Sequence, residues 1–380
     1  MAVFLIERII SLLAYAIVLF IACQLISRVK GKQYKVILLI YLIVLAVFAF
    51  NYKPYITADL YRLRQYIQYW IHMDWNEILR YASKSSSPTW VLYSYLVSKL
   101  NNENWLQTVA FIWCFGNIFY MISCEIERQR ITGKNRGMLL FYVMAVGSFY
   151  LQVISGIRSM LGISIITFCF YRETLEHKSV KSNLILYLVA ALLHSSTMIL
   201  VVSRFLFLII QEQKFSRRLL MFIAFGVIGL FSFYYFCDFV NKSFELGIQY
   251  LTNKNEYSYG WEILIGLLET VETIYILQCF KAERMKAARG MEGYDSVYLF
   301  VKIWTVICIV ALPFSYAIFR RYTIMCTIVN IPLAAQLLVY NNDRVLYKKR
   351  HQIILALSLA IFVLSSVRGD LCGFKLFVLM

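Results

Sequence analysis

A chain of 380 residues is ordinarily long enough for two or three soluble domains, but 61% of these residues are apolar and only 16% are charged. An ordinary globular domain is about 45–50% apolar even with glycine included, so the composition excludes soluble P-loop and Rossmann enzymes, collagen-like chains and disordered ones, and leaves a polytopic membrane protein. The formal charge of +17, from 38 basic and 21 acidic residues, comes with no nucleic-acid-binding motif and reads as the basic bias of cytoplasmic loops.

Roughly twelve spans of about 20 residues fit the length. The first apolar run, 9–27, is long enough to remain as a span and shows no small-residue cleavage site. Short loops at 28–35, 124–136, 172–181, 211–218, 281–289 and 342–350 hold more than half of the Lys and Arg, which makes them cytoplasmic and both termini extracytoplasmic. The nine cysteines form no CxxC pair and imply neither zinc nor a disulfide framework.

After a span at 36–50 comes the longest outer connection, 51–103. Within it Leu60, Leu63, Ile67, Trp70 and Ile71 recur at helical spacing beside Arg62, Arg64, Gln65 and Gln68, the pattern of an amphipathic helix lying in the membrane interface. The stretch 88–100 is apolar but too short to cross, and reads as re-entrant or interfacial. A span at 104–123 follows.

Between two cytoplasmic loops the run 137–171 must leave and return, and Ser155-Gly156 is its weakest helical point, with Arg158 just beyond. The run 183–210 has the same task in fewer residues, with His194-Ser195-Ser196-Thr197 as its polar midpoint. Helices of about a dozen residues reach about 18 Å, so they form a half-depth hairpin or face a thinned, water-filled cavity, with His194 at the apex. Further spans fall at 219–237, 260–280, 296–318, 322–340 and 351–367, with Arg320 and Arg321 at an outer corner. The expected architecture is an all-α helix bundle of about 11–12 spans with half-depth hairpins, in one transmembrane domain over 1–380.

Asp59, Arg158, His194, Arg320 and Arg321 thus come to one side of the membrane, where ionisable groups are expensive and mark function. Each also has a structural reading. Asp59 suits a helix cap, Arg158 an interfacial snorkeler, His194 a hydrogen-bonded core histidine, and the arginine pair a headgroup anchor. The helices after Gly156 and after Ser195-Ser196 begin at the outer side, with Ser195 and Ser196 as good caps, and their N-terminal N–H groups suit a phosphate. A diphosphate held by these ends and the arginines leaves His194 to accept a proton from a sugar hydroxyl. A rival focus is Glu262, Glu269 and Glu272, on one face of one span. They form either a cation path or pairs with Arg204 or Lys302.

Asp59-Leu60-Tyr61 with Tyr66, Gly156-Ile157-Arg158 opening a span, Leu193-His194-Ser195-Ser196, and Arg320-Arg321-Tyr322 ahead of a span containing Pro332 together resemble the EpsG family of Wzy-like bacterial exopolysaccharide polymerases. Where that family often opens a helix with Glu, this chain reads Ser87-Pro88-Thr89-Trp90. The resemblance implies a GT-C-like fold with a long first outer loop, and action on undecaprenyl-diphosphate-linked oligosaccharides in the bacterial cytoplasmic membrane, with an active site facing outside. A flippase and a chain-length regulator are its implied partners. The expected function is a capsule or exopolysaccharide polymerase, a membrane glycosyltransferase joining lipid-linked repeat units. His194 and Asp59 are its catalytic candidates, and Arg158, Arg320, Arg321, Ser195 and Tyr61 its substrate-binding ones. No cofactor or metal is expected, although Asp59 is able to recruit one divalent ion. The alternative is a transporter or flippase of the same lipid-linked sugar, coupled through Glu262, Glu269 and Glu272.

Overall fold

The apolar runs fold into helices, and the polar breaks between them become the corners that carry the site. A computed structural model describes residues 2–54, 59–146, 156–212, 214–235, 245, 248, 260–284, 292–339 and 344–367. Among these there are sixteen α-helices and no strand. They are α1 Ala2–Arg28, α2 Tyr34–Phe50, α3 Asp59–Trp70, α4 Trp75–Ser83, α5 Pro88–Ser98, α6 Trp105–Arg128, α7 Lys134–Val146, α8 Ile157–Thr174, α9 Leu184–Ala191, α10 Ser195–Gln211, α11 Phe215–Tyr235, α12 Gly260–Arg284, α13 Glu292–Ala311, α14 Tyr316–Val329, α15 Ile331–Val339 and α16 Arg344–Val367. Ser155 and most of the expected outer connection at 238–259 lie outside the described residues.

The chain is a polytopic membrane helical protein. Among the described residues three helices are long and apolar enough to cross a bilayer, over Trp105–Arg128, Ile263–Arg284 and Gly293–Ala311, and shorter apolar helices accompany them. Large apolar side chains such as Phe20, Leu39, Ile40, Leu220 and Phe222 are exposed. A water-soluble surface does not present such patches, whereas hydrocarbon accepts them.

The expected hairpin is present but its arms are unequal: α10 has seventeen residues, about 25 Å, and the arm before it is shorter. α9 has only eight residues, and the chain turns through Leu192 to His194 before α10 begins. Eight residues rise about 12 Å, well short of a bilayer core of about 30 Å. α8 and α10 run in the same direction, as two contacts along them require. Near their starts, a Cβ on Gly162 would stand 2.5 Å from Thr197 Cγ2, so glycine alone permits this approach. Further along, Arg204 on α10 donates to Glu173 on α8 at 2.8 and 3.1 Å. Both side chains of that pair are almost fully buried, and Tyr187 of α9 donates to the same carboxylate at 3.0 Å. The hairpin is therefore pinned to α8 near both ends.

The outer-loop helices depart from expectation. The apolar face of α3 is buried within the protein, with Leu60, Leu63 and Ile67 in the main core and Trp70 packed with Ile78, Ala82, Val91 and Tyr95. Arg64, expected on the polar face, is buried instead. Its guanidinium donates to the Tyr52 carbonyl at 2.7 Å and to Gln107 at 3.3 Å, a fixed set of acceptors that membrane lipid does not supply. α5 meets the hairpin: the Thr89 N–H donates to the Leu192 carbonyl at 3.2 Å, at the hairpin apex.

The Gly162–Thr197 contact sets how closely α8 and α10 approach. Gly162→Ala is expected to cost about 1–3 kcal/mol, as overpacking does, and to lower the unfolding temperature of the purified protein in detergent. Adding Thr197→Ser, which removes the colliding methyl and keeps the hydroxyl that bonds the Ala190 carbonyl at 2.6 Å, should restore most of the loss.

Candidate functional site

Because α8 and α10 are parallel, their N-termini lie side by side. Arg158 sits in the first turn of α8 and His194 immediately before α10. α3 brings Asp59 to the same place: Arg158 donates to Asp59 Oδ2 at 3.5 Å, joining positions 99 residues apart. The other oxygen, Oδ1, accepts from Arg62 at 2.9 Å, one helical turn along. α14 adds Arg321, and both the Arg321 and Arg158 guanidiniums are near enough to act electrostatically on the His194 imidazole. Among the described residues three guanidiniums therefore stand around one carboxylate and one imidazole.

The cap of α10 differs from the expected serine caps. His194 is itself the N-cap, its Nδ1 accepting the Ser196 backbone N–H at 3.1 Å. The Ser196 hydroxyl also lies 2.9 Å from Nδ1. The Thr197 N–H goes to the His194 carbonyl at 3.0 Å. Two of the N–H groups expected to hold phosphate are thus used within the turn, with Ser195 and Ser196 buried in it. α8 differs: its N-cap is Gly156, which has no side chain with which to cap it. The positive pole of that helix lies beside Arg158.

Arg320 and Arg321 part company. Pro313 and the Ser315 cap place the corner at 312–315, several residues before the expected one, because proline ends a helix and serine starts the next. Both arginines consequently lie inside α14, where neighbours point about 100° apart. Arg321 is half-buried on the side of His194. Arg320 turns into the bundle and pairs with Glu269 of α12, with both side chains buried. Glu269 is thus held by Arg320, and Arg204 by Glu173, in place of the expected pairing of the glutamates with Arg204 or Lys302. Glu272 accepts from Ser358 at 2.7 Å, and the Glu262 side chain lies outside the described ones. Glu269 and Glu272 are thus fixed by separate partners rather than strung along a path.

Tyr61 lies half-buried in the first turn of α3, two residues past Asp59. Tyr322 escaped sequence reasoning as a site-building residue. Its hydroxyl donates to the Ser196 carbonyl at 3.2 Å and its ring packs on Trp304, centroids 4.6 Å apart, so it ties α14 to the start of α10. Arg62 was also overlooked as a partner of Asp59, although their separation of three on one helix was a readable signal.

A divalent cation would find one carboxylate here, with both oxygens already facing guanidiniums. The donors of this cluster are N–H groups, and they suit an anion with several oxygens.

The two adjacent arginines should respond oppositely to replacement. Glu269→Ala removes the buried carboxylate that Arg320 faces and should destabilise by about 3–5 kcal/mol, while the double variant Glu269→Leu/Arg320→Met should recover most of that. Arg321→Ala should leave thermal unfolding in detergent nearly unchanged.

No curated protein and no solved structure matches this chain. A family model does: the EpsG family matches residues 61–370, beginning two residues after Asp59 and taking in Arg158, His194 and Arg321. On a match over most of its length, the chain belongs to the EpsG family.

Proposed function

We propose that the chain is a polysaccharide polymerase that joins polyprenyl-diphosphate-linked repeat units at the outer face of the bacterial cytoplasmic membrane. Family membership supports a polysaccharide polymerase-like role and favours it over a transporter. The observation that carries the finer reading is the contact of Arg158 with Asp59 beside His194 and Arg321. This is a cation-rich cluster at the end of α8 and α10 away from the basic loops, and by the basic-loop rule that end faces outside.

In the proposed reaction the growing glycan leaves its polyprenyl diphosphate for a hydroxyl of the incoming repeat unit. The bond from the anomeric carbon to the diphosphate oxygen breaks, and its electron pair stays on the diphosphate. Arg158, Arg321 and the positive start of α8 stabilise that charge as it develops, in a setting where fixed cations act more strongly than in water. The Arg158–Asp59 contact, at 3.5 Å, is at the long end for an ion pair. A phosphate oxygen is a competitive partner for Arg158, and its arrival releases one oxygen of Asp59 toward the acceptor sugar. A flippase and a chain-length regulator are the partners such a polymerase would work beside.

Arg158→Ala and Arg321→Ala should each lower polymer yield about a hundredfold or more. Cells should accumulate single lipid-linked repeat units, accessible to a membrane-impermeant probe on the outer leaflet. Units trapped on the inner leaflet would overturn the polymerase reading.

A further inference from the structure

On the reading just given, we infer that His194 works as a neutral hydrogen-bond donor through Nε2–H to the leaving diphosphate, and that Asp59, not His194, takes the proton of the acceptor hydroxyl. The argument starts from the helix cap. A backbone N–H is an obligatory donor, so the Nδ1 that receives it from Ser196 carries no proton. A protonated imidazole has donors at both nitrogens and is unable to make this contact. The ring is therefore neutral, with its one proton on Nε2.

The surroundings agree. His194 is 8% exposed, and a third positive charge beside Arg158 and Arg321 would be repelled in so buried a place. Nε2 has no hydrogen-bond partner among the described residues, while both contacts of the ring fall on Nδ1. A nitrogen that already bears a proton is not a base. An N–H held rigid by its own ring's cap, within the electrostatic reach of two guanidiniums, is a donor awaiting an acceptor with negative charge.

The proton must then go elsewhere. The new bond forms between the acceptor oxygen and the anomeric carbon as the bond to the diphosphate breaks. The hydroxyl proton passes to the Asp59 carboxylate, the one carboxylate joined to this cluster among the described residues. The Asp59 side chain is 41% exposed, so it releases the proton to outside water and is reset. Charge balances: the diphosphate leaves with the electron pair, and the proton departs through Asp59.

Two replacements separate donor from base. Asn places an oxygen where Nδ1 lies and keeps the cap, but offers nothing at Nε2; Gln places an N–H near Nε2. His194→Gln should retain polymer yield within about tenfold of the parent, whereas His194→Asn should fold normally and fall about a hundredfold, as loss of one transition-state donor does. Equal loss in both, down to the level of His194→Ala, would overturn the donor assignment. Independently of any activity, nitrogen-15 NMR of the purified full chain in nanodiscs, assigned against His194→Asn, should find Nδ1 bare and Nε2 protonated at neutral pH. The Nε2–H signal should move on addition of inorganic diphosphate. A protonated Nδ1 would sink the proposal while leaving the polymerase reading intact. Normal polymer from Arg158→Ala and His194→Ala together would sink the polymerase reading and the proposal with it.

Discussion

Gly162 against Thr197 is the contact on which the rest of this arrangement depends. It lets α8 and α10 run together in parallel with their starts in register, and the buried Arg204–Glu173 pair holds them so further along. Antiparallel neighbours joined by a short turn would place one positive helix end at each side of the membrane. Parallel neighbours place both at one side. The segment between them makes this possible, since a 3-10 turn at Val180–Asn183 followed by α9 returns the chain to the starting side. Arg158 and His194 then need no long side-chain reach to meet, because the backbone has already brought their helix ends together.

The other arginines show how the fold handles charge in an apolar setting. Arg204, Arg320 and Arg64 are buried, and each has fixed acceptors. Such pairs contribute little net stability compared with apolar packing, but removing one partner is severe. They fix geometry: Glu269 draws Arg320 into the bundle, which sets the rotation of α14 and turns Arg321 toward His194. One arginine turns into the bundle toward a carboxylate, and its neighbour faces the candidate site.

Much of this was legible in the residues. Basic loops gave the parity of the runs 137–171 and 183–210, and the polar midpoint at His194 marked the turn, which the structure places at Leu192–His194. The short apolar stretch after Pro88 was recognisable as an element too short to cross, and it does meet the hairpin apex. What stayed hidden depended on partners distant in sequence. Helical spacing alone told nothing of whether the apolar face of α3 meets lipid or protein; Arg64, reaching Tyr52 and Gln107, decides that. Arg320-Arg321 reads as one basic pair until the helix is known to start at Tyr316, after which the two must diverge. Serines are the usual caps by statistics, yet here a histidine takes that place and its chemistry changes with it.

That last substitution links the fold to the chemistry. A serine cap would satisfy the same helix end and leave no group with a second nitrogen. An imidazole cap does two things through two atoms: Nδ1 closes the helix, and in doing so obliges the proton onto Nε2. The local requirement of a helix terminus thus selects the tautomer of a functional side chain, with no further residue needed to orient it. Within the electrostatic reach of Arg158 and Arg321, the result is a cluster whose net charge is positive before any substrate arrives. Fixed dipoles and cations need no reorganisation when negative charge develops. A carrier whose leaving group departs as a diphosphate gains most from such a cluster, because its charge grows where the donors already point.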